Sequence, residues 1–276
     1  MNKVQITYTL RSIEKSHKEQ IENFFLTVYP LNHLFSHGLG HHRRVWENAK
    51  ELILNSAIPS ENIDRIFILN TITACYFHDI GMAKDQGTRH GALGRRICTE
   101  FLERNKMRVN DFEVALEAIE FHDDKEYLTH PEDNKVLDIL SLADDIDAFG
   151  ITGIYRYTEI YLKRGIALMD IGTLIIKNAR SRFQNLEKRS GLPGEFLLRQ
   201  RVRYDYLIDF FREYNTQINS YNFSSAYPSG HCGIIQILAE SNSTKYQRNP
   251  ELYSKDQFIT NFFINLNAED ELIRTS

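Results

Sequence analysis

The chain has 276 residues, 42% of them hydrophobic and 25% charged, with a formal net charge of −4. That is enough for one large core, alone or with an extension, and the composition is that of an ordinary globular protein. The acidic balance gives no electrostatic case for nucleic acid or an anionic membrane as partner. Cys75, Cys98 and Cys232 are widely spaced and odd in number, which argues against a disulfide framework or a zinc ribbon. The opening MNKVQITYTLRSIEK lacks a signal-peptide core, and no apolar run reaches the roughly 20 residues needed to span a bilayer. A reduced, cytoplasmic protein is expected.

In chain order, residues 3–28 read as an amphipathic helix with Ile13, Ile21, Phe24, Phe25 and Val28 on its apolar face, closed by Pro30. A glycine-containing loop from Phe35 then runs into a second helix through Ala49, Leu52 and Ile53. Histidines are dense here: His33, His37, His41 and His42. His41 lines up with Val45, Ala49 and Leu52, and His42 with Trp46, Ala49 and Ile53. Periodicity does not separate the two.

Ser60 is the expected N-cap of a central helix, apolar nearly all the way round, that ends at His78-Asp79 and is broken by Gly81. A carboxylate at the end of such a helix is costly to bury without a compensating charge. A bound cation would supply that charge, with His78 as a neighbouring ligand. The polar segment from Met82 offers Lys84 and Arg89 as phosphate contacts. His90 opens a helix whose face includes Gly94, Ile97 and Phe101. Asn110 or Asp111 caps the next, in which Ala115, Ala118, Ile119 and His122 share a face. After Pro131, Leu137, Leu140 and Asp144 align with Asp147 one turn on, while Asp145 falls on a more polar side with Asp138 and Ser141.

Beyond Gly150 the pattern predicts helices over 151–165, 171–189 and 195–218, with a break at Gly191-Leu192-Pro193-Gly194. A short helix over 234–240 follows an irregular stretch, and an apolar patch, Phe258 to Leu266, ends a polar tail that starts at Ser241. Arg199, Arg201 and Arg203 read as a solvated face. Tyr204, Tyr206 and Tyr227 would suit base stacking, although core packing is the commoner use of such residues. The fold class is all-α, with residues 1–190 as a helical core and 191–276 as a helical extension packed on it.

Six ligand-type residues therefore sit where core residues are expected: His41, His78, Asp79, His90, His122 and Asp144. A single histidine on an apolar face is more often a hydrogen-bonded core residue than a ligand, and a lone inward aspartate is more often a cap or ion-pair partner. Six of them on five successive helical segments would be hard to satisfy one by one. Convergence on one or two metal ions would satisfy them together. Imidazole and carboxylate without thiolate suit Mn²⁺, Fe²⁺, Co²⁺, Ni²⁺ or Zn²⁺; manganese or iron is expected, with magnesium also open.

With His41, His78-Asp79 and Asp144 in place, the chain resembles the HD-domain superfamily of metal-dependent phosphohydrolases, whose signature is H…HD…D on a helical core. HGLGHHRRVWENAKEL and ADDIDAFGITGIYR are similar to patterns of small bacterial HD-type nucleotide pyrophosphohydrolases. The resemblance spans about residues 33–165 and implies His41 and Asp144 as ligands. The lysine a few residues beyond the HD pair resembles Lys84, which would meet a substrate phosphate with Arg89 or Arg95 in support. Asp145 departs from that pattern, which usually has an arginine there. With His90 and His122 the pattern resembles H…HD…H…H…D of two-metal HD proteins, in which Asp79 would bridge.

The expected activity is hydrolysis of a nucleotide or related phosphate ester or anhydride by metal-activated water. Lys84 would offset phosphate charge and Arg44 would pair with a site carboxylate; Asp147 would orient a ligand or receive the proton, although structural support is the commoner role for such a residue. Two alternatives stay open. One is a diiron oxygenase of the same superfamily acting on a small polar substrate, and the other a non-catalytic regulatory module that retains the metal site. HDIGMAKD lacks the acidic pair of guanosine-tetraphosphate hydrolases, and Phe121-His122-Asp123 replaces the double histidine of the HD-GYP phosphodiesterases. The expected partner is a small phosphorylated molecule, with neither membrane nor nucleic acid; self-association is left open.

Overall fold

A computed structural model describes residues 1–29, 34–55, 58–85, 87, 89–123, 133–188, 191–240 and 254–274. Pro30, His33, Pro131 and the stretch 241–253 lie outside the described residues. Among the described residues the secondary structure is helical throughout: α1 (Lys3–Val28), α2 (Leu39–Leu54), α3 (Arg65–Phe77), α4 (His90–Arg104), α5 (Glu113–Phe121), α6 (Lys135–Asp147), α7 (Gly150–Lys163), α8 (Leu168–Lys188), α9 (Gly194–Gln217), α10 (Gly230–Glu240) and α11 (Gln257–Arg274). Short 3₁₀ turns occupy Phe35–His37, Ser60–Asn62, Ile80–Ala83 and Val109–Phe112. The all-α expectation holds.

The chain forms two compact units, residues 1–146 with 185–194 and residues 147–184 with 195–276. These differ from the expected 1–190 and 191–276. The physical reason lies in α7, which packs on α10 and α11. In the first unit α3 is the hub, in contact with α1, α2, α4 and α5. Ile68, Ile72, Ala74, Cys75, Tyr76 and Phe77 are fully buried, and each large apolar side chain among them contributes roughly 1.5–3 kcal/mol. The window Arg65–Ala83 is apolar enough by composition to cross a bilayer, and 83% of it is buried inside the protein, as in a core helix.

Local side-chain caps close the starts of α1 and α3. A capping box closes the start of α1: the Asn2 side chain accepts from the Gln5 N–H while the Gln5 side chain accepts from the Asn2 N–H. Two expected caps are corrected. Ser60 lies in a 3₁₀ turn, and Asp64 caps α3 by accepting from the Phe67 N–H at 2.7 Å. Neither Asn110 nor Asp111 caps α5, which follows the 3₁₀ turn directly. Asn70 of α3 does that work from outside: its Oδ1 accepts from Ala115 N–H at 3.1 Å, and its Nδ2 donates to the Asp111 carbonyl at 3.0 Å. A third correction concerns Asp145, which is fully buried rather than on a polar face. Asn185 of the first unit covers it, donating from Nδ2 to Oδ2 at 3.1 Å.

The second unit packs Phe149, Phe183 and Tyr204 together, with Phe183 and Tyr204 stacked at 4.5 Å and Arg201 lying 4.4 Å over the Phe183 ring. Tyr204 is thus a core residue, whereas Tyr206 and Tyr227 are exposed. Arg199 stacks near Phe196, and Arg203 donates to Gln200 and the Phe149 carbonyl, so this arginine series is partly engaged with the protein's own surface.

Candidate metal centre

The C-terminal end of α3 organises the site. The last carbonyls of a helix have no intrahelical donor, and the end carries partial negative charge. Cys75 supplies one such carbonyl, and two imidazoles use it. His78 Nδ1 and His42 Nδ1 each lie 3.0 Å from that oxygen. A carbonyl only accepts, so each ring carries its proton on Nδ1 and leaves Nε2 bare.

Helix α4 reaches this end of α3 because glycines let backbones touch. A Cβ at Gly81 would lie 2.0 Å from the His90 carbonyl, one at Gly91 2.4 Å from the Glu120 carbonyl, and one at Gly94 2.9 Å from the Phe77 carbonyl. The close approach places His90 and His122 beside Asp79. Their rings are oriented as in α3: His90 Nδ1 donates to the Gly87 carbonyl at 2.5 Å, and His122 Nδ1 to the Ile119 carbonyl at 2.7 Å. Both are nearly inaccessible to solvent.

The Asp79 carboxylate stands between two pairs of rings. Its Oδ2 is 3.4 Å from Nε2 of both His41 and His78, and its Oδ1 is 3.0 Å from His122 Nε2 and 3.5 Å from His90 Nε2. His41 Nε2 is in turn 3.0 Å from His78 Nε2 and 3.8 Å from Asp144 Oδ1. Two sets of donors converge within 4.8 Å, His41 with His78 and Asp144, and His78 with Asp79 and His122, all buried. Two donors each about 2.1 Å from one ion at a right angle are about 3.0 Å apart, so these spacings fit shared coordination.

The electrostatics agree with that fit. Burial, partly offset by Asp79, pushes His78 down to about 4. Burial alone would raise the Asp79 carboxyl, but the surrounding imidazoles, His78 first and then His122 and His41, hold it well below its ordinary range. At neutral pH His78 is thus a neutral imidazole and Asp79 a carboxylate, the protonation states a metal requires of such ligands. Without a cation, bare Nε2 lone pairs would face a buried carboxylate at 3.0 to 3.5 Å, an arrangement that costs free energy unless a positive charge lies between them. This cluster can hold a divalent metal.

Residues 38–148 match the HD domain family. The matched region contains the six buried donors and the helices that present them. No match was found among the curated proteins or the solved structures.

The cationic and acidic residues expected to act on substrate are placed differently from the donors. Lys84 is exposed just past the 3₁₀ turn that follows Asp79. Arg89 is exposed and donates to Asp85 at 2.8 Å. Arg95 bridges Glu120, at 2.9 Å, and Glu113. Arg44 is buried on α2 one turn from His41. Asp147 belongs to the second unit, where Arg156 donates to it at 3.0 Å.

Two residues near the donors were not singled out from the sequence. His37 is buried, its Nδ1 2.8 Å from Ser36 Oγ and its ring 5.4 Å from that of His41; the local density of histidine was its only signal. Asp123 Oδ2 lies 3.8 Å from His90 Nε2. His122-Asp123 repeats the adjacency of His78-Asp79, a signal visible in the sequence.

Proposed function

We propose that the protein is a metal-dependent phosphohydrolase acting on a nucleotide or a related phosphate ester or anhydride. The observation that carries this reading is the Asp79 carboxylate held between imidazoles whose N–H groups are already committed to backbone carbonyls. Such a centre is built for cations, and the HD domain family to which residues 38–148 match makes hydrolysis the expected chemistry.

His41, His78, Asp79 and Asp144 would hold one ion, and His90 and His122, facing the other oxygen of Asp79, a second. Divalent ions there supply Lewis acidity, acidifying water towards a pKa of about 7 and polarising a phosphoryl oxygen. Asp79 orients both halves of the centre, and the Cys75, Gly87 and Ile119 carbonyls lock the tautomers of His78, His90 and His122. Lys84, exposed and one short turn beyond Asp79, would meet an incoming phosphate. Arg44, buried one turn from His41 on α2, would offset carboxylate charge. Manganese or iron suits the all-N/O donor set.

One observation favours the diiron oxygenase as a second reading. Arg95 is held by two glutamates and Arg89 by Asp85, so two of the three expected phosphate cations are engaged elsewhere. Six N/O donors would serve two irons equally well.

The test is product analysis over a panel of nucleotides and phosphate esters, with protein stripped of metal and reloaded with Mn²⁺. Release of phosphate or pyrophosphate that disappears in Asp79→Ala is the expected result. If no phosphorylated compound is turned over while the iron-loaded protein consumes O₂ with a small polyol or phosphonate, the hydrolase reading is wrong.

A further inference from the structure

The six buried donors divide unequally about Asp79. On the Oδ2 side stand His41, His78 and a second carboxylate, Asp144, whose Oδ1 lies 3.8 Å from His41 Nε2. On the Oδ1 side stand His90 and His122. A dication held there by two neutral imidazoles and half of one shared carboxylate would keep most of its charge uncompensated. The chain places one further carboxylate within reach. Asp123 follows His122 directly at the end of α5, and its Oδ2 is 3.8 Å from His90 Nε2, the same spacing that Asp144 keeps from His41.

We propose that Asp123 is the terminal carboxylate of a second cation position, formed with His90, His122 and Oδ1 of Asp79. The inference rests on the metal-centre reading above and adds a ligand to it. The centre then has matching halves: each has two imidazoles, one oxygen of Asp79 and one carboxylate of its own. The halves differ in one respect. The Asp144 side chain is 6% exposed, whereas that of Asp123 is 45% exposed. The carboxylate nearer water is the more strongly hydrated and the less pre-organised, so the second position is the weaker and the more exchangeable.

The experiment is a Mn²⁺ titration of the metal-free full-length chain, read by calorimetry and by the EPR signal of free Mn²⁺, neither of which depends on turnover. The wild type is expected to take up two ions, the second more weakly. Asp123→Ala should keep the tight ion and weaken the second at least 10-fold, and Asp123→Glu should recover most of that loss. Because Asp123 is half exposed, the metal-free melting temperature of the variant should match the wild type, which separates lost ligation from misfolding. A wild type that binds two ions beside an Asp123→Ala that binds both with unchanged affinity overturns the assignment of Asp123 and leaves the metal centre standing. A wild type that binds one ion or none overturns the second position itself.

Discussion

Gly91→Ala puts the architecture of the centre under direct test. A Cβ at residue 91 would lie 2.4 Å from the Glu120 carbonyl oxygen, 3.1 Å from its carbon and 3.2 Å from the Ile119 carbonyl oxygen. All three are backbone atoms, so no flexible side chain can yield. Restoring ordinary contact requires α4 and α5 to separate by about 1 Å, with overpacking strain of about 1–3 kcal/mol. The gain of alanine over glycine in a helix, about 1 kcal/mol, offsets part of this. The net loss is expected near 1 kcal/mol, a drop of a few degrees in melting temperature. The effect on the centre should be larger than the effect on the fold. His90 precedes Gly91 on α4, and the Ile119 carbonyl that the new methyl would press is the one that orients His122. Displacements of about 1 Å at a reacting centre cost on the order of 100-fold in rate. The assay is thermal unfolding with and without Mn²⁺, with Gly194→Ala as reference, since a Cβ there meets nothing within 4 Å. Equal Mn²⁺-induced stabilisation in Gly91→Ala and wild type would refute the claim that backbone contact between α4 and α5 sets the positions of His90 and His122.

Three further outcomes follow from the structure. The metal-free protein should lose stability as pH falls from about 6.5 towards 4, because unfolded His78 takes up a proton near its ordinary pKa while the folded ring, at about 4, does not. The contribution is roughly 3 kcal/mol, readable from urea unfolding over that pH range; a flat profile would show that His78 is not buried as described. Arg95→Ala should change stability by about 1 kcal/mol or less, because its partners lie at a half-exposed surface, and should leave KM unaltered. Lys84→Ala should raise KM with no change in melting temperature, and a reversed pattern would reassign the phosphate contact to Arg95.

The sequence carried the helices because their burial follows the period of the helix, as in α1, where Ile6, Leu10, Ile13, Ile21 and Phe25 form one buried face. It carried the convergence of donors because ligand types at core positions are conspicuous. What it hid were features decided by other parts of the chain. The start of α5 is capped by Asn70, more than 40 residues upstream, and no local pattern can announce that. Asp145 looked polar-facing because α6 was read as a one-sided helix, whereas Val136, Leu137, Ile139, Leu140, Leu142 and Ala143 are all buried. The expected phosphate contacts of Arg89 and Arg95 rest on charge, and charge does not reveal which carboxylates compete for an arginine. Glu113 and Glu120 of α5 lie within reach of Arg95 only because α4 and α5 pack so closely.

The choice between His41 and His42 shows most clearly what periodicity leaves open and what geometry decides. Adjacent residues on a helix point about 100° apart, and α2 is covered by both α1 and α3, so both rings are buried, at 1% and 0% exposure. His42 packs 4.6 Å from the Phe25 ring and spends its N–H on the Cys75 carbonyl, leaving Nε2 with no hydrogen-bond partner among the described residues. His41 instead turns Nε2 towards His78, Asp79 and Asp144. His42 therefore acts as a buttress for the α3 end and His41 as a ligand. Asparagine separates the roles, since its Nδ2 can replace the Nδ1 donor of His42 while offering nothing in place of an Nε2 ligand. His42→Asn should stay folded and bind Mn²⁺ within about 10-fold of the wild type, the lower end of losses seen on removing groups behind a ligand. His41→Asn should lose well over 10-fold in affinity for the tight ion. Equal losses in the two variants would mean that both rings reach the metal, and that the shared carbonyl of Cys75 is not what holds His42.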